Sequence, residues 1–169
     1  CVGGLGVPVG LSGSDLGCTY QLMCGGIPTG PAIPGTGSAL SFGLKPAAFN
    51  YTVDATNTVT GCFSSMTGSV NILITPLPIA YFVTGGGAYP AGGPGVAVGL
   101  SNSQIGVSYQ LFIGGTPTGL PKTGTGAAIS FGLQTTAGTY TVIATDPVTG
   151  CVNNMSGSTS VIINALPLM

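Results

Sequence analysis

Few side chains in this chain of 169 residues can do chemistry. They are five cysteines (Cys1, Cys18, Cys24, Cys62 and Cys151), three aspartates (Asp15, Asp54 and Asp146) and two lysines (Lys45 and Lys122). There is no His, Arg, Glu or Trp. General acid–base catalysis wants His or a tuned carboxylate, and the aspartates lie in separate regions. Calcium needs several converging oxygen ligands, and no Asp cluster supplies them. With no CxxC motif and no His, a zinc site is not expected. Gly85-Gly86-Gly87 follows a strand pattern, but neither a helix nor a Lys follows it, so it is no phosphate loop. Each lone Asp reads as a turn former or a solvated residue. No catalytic residue, cofactor or metal is expected, and an enzyme ranks last among the function classes.

The elements that carry these residues occur twice. Gly10-Leu11-Ser12, Tyr20-Gln21-Leu22, Ser41-Phe42-Gly43-Leu44 and Val59-Thr60-Gly61-Cys62 return without a gap as Gly99-Leu100-Ser101, Tyr109-Gln110-Leu111, Ser130-Phe131-Gly132-Leu133 and Val148-Thr149-Gly150-Cys151. The period of 89 residues is domain-sized. Each copy can therefore bury its own core, unlike a solenoid repeat. Two domains are expected, residues 1–76 and 77–169. The first copy has no counterpart of Tyr81–Tyr89, so its first strand is expected to be missing from the chain. The chain starts at Cys1, which reads as a processed product or an excerpt of something longer.

Charged residues make up 3% of the chain, against about one quarter in an ordinary domain. A mean hydropathy of +0.59 argues against disorder. The longest apolar stretch, Val70 to Val83, is interrupted by Asn71, Thr75, Pro76 and Pro78, so no membrane insertion is expected. Two lysines cannot neutralise a phosphate backbone, which excludes nucleic acid. A net charge of −1 leaves little repulsion between molecules. Such a surface suits a chain packed in a fibre or coated with glycan.

Alternation and glycine punctuation predict strands in the second copy at Ile79–Thr84, Gly95–Leu100, Val107–Ile113, Ala128–Phe131, Thr139–Thr145 and Ser158–Asn164, with a short edge strand between Thr116 and Gly124. Val107, Tyr109, Leu111 and Ile113 should face the core, as should Tyr140, Val142 and Ala144, and in the first copy Tyr51, Val53 and Ala55. No window has helical periodicity. The fold class is all-β: two tandem Ig-like antiparallel β-sandwiches.

Cys18 and Cys24 align with Val107 and Ile113, so both are expected to be buried thiols. Six residues apart on one strand, they stand about 20 Å from each other and cannot bridge. Asn50-Tyr51-Thr52 and Asn154-Met155-Ser156 match the glycosylation sequon, which makes Asn50 and Asn154 candidate glycan sites.

The ordered set Gly-Val-Ala-Val-Gly-Leu-Ser, Val-Ser-Tyr-Gln-Leu, Ile-Ser-Phe-Gly, Ala-Gly-Thr-Tyr-Thr-Val-Ile-Ala-Thr and Gly-Cys, ending in Leu-Pro, resembles the Ig-like or PKD-like repeats of large secreted surface proteins of Bacteroidetes-type bacteria. The resemblance spans nearly the whole chain, twice. It implies adhesin, gliding or fibre proteins at the cell surface, built from many such domains and without enzymatic activity. It also implies cysteines at the places of Cys1 and Cys62, and hence a Cys1–Cys62 disulfide. Cys151 would then be free or bridged to another chain. Copies of the chain or adjoining repeats are the expected partners in a linear polymer. A carbohydrate- or surface-ligand-binding module is the alternative, for which Tyr81, Phe82 and Tyr89 are the aromatics to follow. An ice- or mineral-binding Thr face is a third reading, and Asp54 interrupts its Thr row.

Overall fold

The computed structural model describes residues 1–167, with strands and no helix among them. Leu168 and Met169, the end of the second repeat, lie outside the described residues. The chain forms two compact units, Val2–Ile74 and Thr75–Met169, and Cys1 belongs to the second.

The first unit holds β1 (Val7–Leu11), β2 (Cys18–Cys24), β3 (Ile27–Pro28), β4 (Ile33–Pro34), β5 (Leu40–Lys45), β6 (Asn50–Asn57), β7 (Phe63–Ser65) and β8 (Val70–Asn71). The second holds β9 (Val83–Gly85), β10 (Gly87–Pro90), β11 (Val96–Leu100), β12 (Ser108–Ile113), β13 (Thr116–Thr123), β14 (Ile129–Gln134), β15 (Gly138–Thr145), β16 (Val152–Asn154) and β17 (Thr159–Asn164). In the second unit a sheet ordered β14-β11-β9 faces a sheet ordered β10-β17-β15-β12-β13, with β16 also on β15. In the first, β1-β5 faces β3-β2-β6-β7, with β4 on β2 and β8 on β6.

Alternation explains the cores. Tyr109, Leu111, Tyr140, Val142 and Ala144 point from one sheet onto Val98 and Leu100 of the other, and all are buried. Tyr20, Leu22, Tyr51, Val53 and Ala55 meet Val9, Leu40 and Phe42 in the same way. Side chains from two facing sheets thus share one core in each unit, which makes each an Ig-like β-sandwich. Tyr140 adds a tyrosine corner: its hydroxyl donates to the Thr136 carbonyl at 2.8 Å, and Tyr51 does the same to Ala47 at 3.4 Å.

Three local expectations are corrected. The run Ile79–Thr84 is not one strand ending in a glycine turn. Pairing begins with a bridge at Phe82, β9 pairs antiparallel with β11, and the chain then crosses to the other sheet as β10. β10 pairs parallel with β17, so the sandwich is not wholly antiparallel. The physical cause is the glycine run: Gly85 and Gly86 hold φ of +87° and +77°, which lets the backbone leave one sheet for the other. Cys18 and Cys24 are free and half-buried at the margin of the first core, not fully buried.

The cysteine pairing is the third correction. Cys1 is bonded to Cys151, and Cys62 is a free, exposed thiol. Cys62 and Cys151 occupy the same turn in the two copies, but their surroundings differ. Both turns face solvent, but Cys151 itself is fully buried, with its sulfur 3.0 Å from Thr75 Oγ1, whereas Cys62 is exposed. A resemblance that supplies the cysteine positions does not say which turn Cys1 reaches.

Candidate strand-acceptor cleft

Among the differences between the two copies is the sheet edge beside β1. In the second unit β9 lies along β11, pairing Gly85, Thr84 and Val83 with Val98, Gly99 and Leu100. Among the described residues β1, the counterpart of β11, pairs with β5 alone. Burial records the difference. Gly99 and Leu100 are buried; their counterparts Gly10 and Leu11 are exposed and half-buried. Met155 is buried, whereas Met66 is half-buried.

The hydrogen bonds follow the same pattern. In the second unit Ser101 N–H donates to the Phe82 carbonyl at 2.9 Å. Ser156 N–H donates to Tyr81 at 2.8 Å, Val83 N–H to Ser156 at 2.9 Å and Gly86 N–H to Ala97 at 2.8 Å. The counterparts Ser12, Thr67 and Pro8 have no such strand beside them among the described residues. They offer the row of donors and acceptors that marks an open sheet edge.

One cleft of the first unit borders this edge, and a second lies farther along the same sandwich. One, of about 130 Å³, runs between β1 and β8 and is lined by Val9, Leu11, Val53, Met66, Thr67 and Val70. The other, of about 230 Å³, is lined by Asp15, Cys18, Tyr20, Cys62, Phe63 and Met66. Met66 lies in both. An apolar wall with open backbone groups suits an added strand: main-chain bonds supply attraction and pockets for alternate side chains supply selection.

The remaining sequence candidates are dispersed. Among the described residues no group of His, Cys, Asp or Glu could hold a metal ion. Asp146 Oδ1 accepts the Val148 and Thr149 N–H groups at 2.8 and 3.3 Å, closing a turn. These bonds, Val148 first, hold its carboxyl below the usual carboxylate range. Asn57 makes the same turn in the first copy. Asp54 accepts from Ser65 Oγ at 2.7 Å, and the Asp15 backbone N–H donates to the Tyr20 hydroxyl at 2.8 Å. Asn50 and Asn154 are exposed, at the start of β6 and the end of β16. Of the three aromatics followed as a ligand platform, Tyr89 is buried and Tyr81 packs on the core, which leaves Phe82 exposed. Sequence reasoning did not foresee the exposed Phe63 beside Cys62; it sits at the place of Val152, and no sequence signal marks that site as a cleft wall.

A comparison with known protein families finds no match, and a comparison with curated proteins finds none either. Among solved structures the chain is similar to fibronectin(III)-like modules of Clostridium thermocellum CbhA, with 11% identity and a TM-score of 0.44, over 95% of this chain and 87% of that one.

Proposed function

We propose that the chain is a non-catalytic building block of an extracellular bacterial assembly, a fibre, pilus-like filament or adhesin stalk, joined head-to-tail at the cell surface. The observation that carries this reading is the open edge at β1, set against the filled edge at β11 in the same chain. One copy shows what a complete domain needs, and the other leaves the place free. The strand that would fill it belongs to an adjoining repeat of a longer polypeptide or to the next molecule, and in the second case it makes a contact between unlike surfaces. Contacts of that kind do not close on themselves and yield linear polymers. The nearly uncharged surface favours dense packing, and the resemblance to secreted surface repeats supports the location. Asn50 and Asn154 are accessible to glycan in such a setting.

A carbohydrate- or surface-ligand-binding module remains the second reading, and it is weakened by the inward placement of Tyr81 and Tyr89. Sedimentation and electron microscopy across a concentration series test the proposal. Linear oligomers that lengthen with concentration are expected. A chain that stays monomeric at high concentration, with the β1 edge still exchanging freely, overturns it.

A further inference from the structure

We infer that the chain's two lysines guard open sheet edges, each barring a strand of a second copy from pairing side by side with its own unit. The inference goes beyond the assembly reading and holds whether or not that reading does.

Lys45 and Lys122 are the only cationic side chains of the protein. Both stand on edge strands. Among the described residues β13 pairs with β12 alone, and β5 with β1 alone. Both also stand on the inward side of their sheets. Lys122 lies opposite Tyr109, which is fully buried, and residues opposite each other in a ladder project from the same face. Lys45 lies opposite Val7, which shares a face with buried Val9, and is itself half-buried.

The two lysines occupy one seam, seen once in each copy. In the second unit a cleft of about 240 Å³ opens between β13 and β14, with Leu111, Phe131, Lys122 and Gln134 in its walls. One period earlier, Ile33 stands at the place of Lys122 and Lys45 at the place of Gln134. The charge has moved from one wall of the seam to the other, and each seam still holds one. What the copies share is a charge at the seam rather than a fixed residue.

The rest of each edge explains where the charge is needed. In the first unit β3 and β4 are two residues long and end in Pro28 and Pro34, so they offer a neighbour almost no ladder. β5 has six residues and no proline, and it carries Lys45. In the second unit β13 runs for eight residues and carries Pro117, Pro121 and Lys122. Long open edges template foreign strands, and proline, short strands and inward charges are the means that blunt them. A strand added beside β5 or β13 would extend the sandwich over the ammonium group and strip its water. An ammonium is strongly hydrated, and burying it unpaired is unfavourable.

The test compares the full chain with its Lys45→Thr/Lys122→Thr variant. Threonine suits a strand, and the change takes the net charge from −1 to −3 (−1 minus the two lysines), which raises general repulsion between molecules. Edge guarding predicts the opposite of that repulsion. The variant should associate at a concentration at least about tenfold lower than the parent, as expected when gatekeeper charges are lost. New protection from hydrogen exchange should appear in β5 and β13 while β6 and β15 keep theirs. The Lys45→Arg/Lys122→Arg variant keeps the charges and should behave as the parent. A threonine variant no more prone to associate than the parent, or an arginine variant equally prone, overturns the inference. Association that leaves β5 and β13 exchanging, or that comes with lost protection in β6 and β15, traces to other contacts or to unfolding and also overturns it. Linear oligomers of the parent that leave β5 and β13 exchanging bear on the assembly reading alone.

Discussion

At the residue scale, each copy is pinned by tyrosines whose rings fill the core and whose hydroxyls tie down loops. Tyr109 is fully buried, and its hydroxyl accepts the Gln104 N–H at 2.8 Å; Tyr20 does the same for Asp15. Tyr109→Phe keeps the ring and strands that N–H, so a loss of about 1 kcal/mol or somewhat more is expected in denaturant unfolding. Asp146 governs a different dependence. Its carboxylate is stabilised by the turn it closes, so its folded pKa is depressed. A depressed carboxylate contributes stability above its unfolded value, near 3.9, and loses it as pH falls through the folded one. Asp146→Asn should therefore leave unfolding at pH 7 almost unchanged and flatten the decline in Tm below about pH 4. The first copy already carries Asn57 at this turn.

At the element scale, β1 and β11 are nearly the same strand in different company. Each pairs with an equivalent partner, β5 or β14, with the same register shift in the middle. Among the described residues only β11 has a neighbour on its other side. Hydrogen exchange should show this directly. The Ser12 and Thr67 amides should exchange about tenfold faster than those of Ser101 and Ser156, the effect of about one hydrogen bond each. Equal protection in the isolated chain would mean that the β1 edge is covered by something else. The short β8 fits the same picture: its counterpart β17 extends to six residues with β10 beside it.

At the scale of the whole molecule, the disulfide joins residues 150 positions apart, and Cys1 counts with the second unit. Thiol titration of the unfolded, unreduced chain should find three free thiols, those of Cys18, Cys24 and Cys62. In the native chain Cys62 should react first, because it is exposed while the other two are half-buried. Cys62→Ser should then remove the fast phase and leave the slow ones. A titration that finds one free thiol would restore a second bridge and contradict the arrangement.

The all-β fold, the repeat and the inward faces of β6, β12 and β15 were legible in the sequence, because strand alternation and glycine punctuation are local signals that recur in both copies. Composition alone set the reactive inventory: five cysteines, three aspartates and two lysines, with no histidine. Three features required the tertiary structure. The crossing at Gly85-Gly86 depends on which sheet each half of the segment can reach, and a glycine run looks the same whether it turns or crosses. The partner of Cys1 depends on which of two equivalent turns lies beside it, a choice that the repeat itself makes ambiguous. The parallel pairing of β10 with β17 depends on where the crossing sets the chain down, a matter of neighbours in space that no single stretch of sequence encodes.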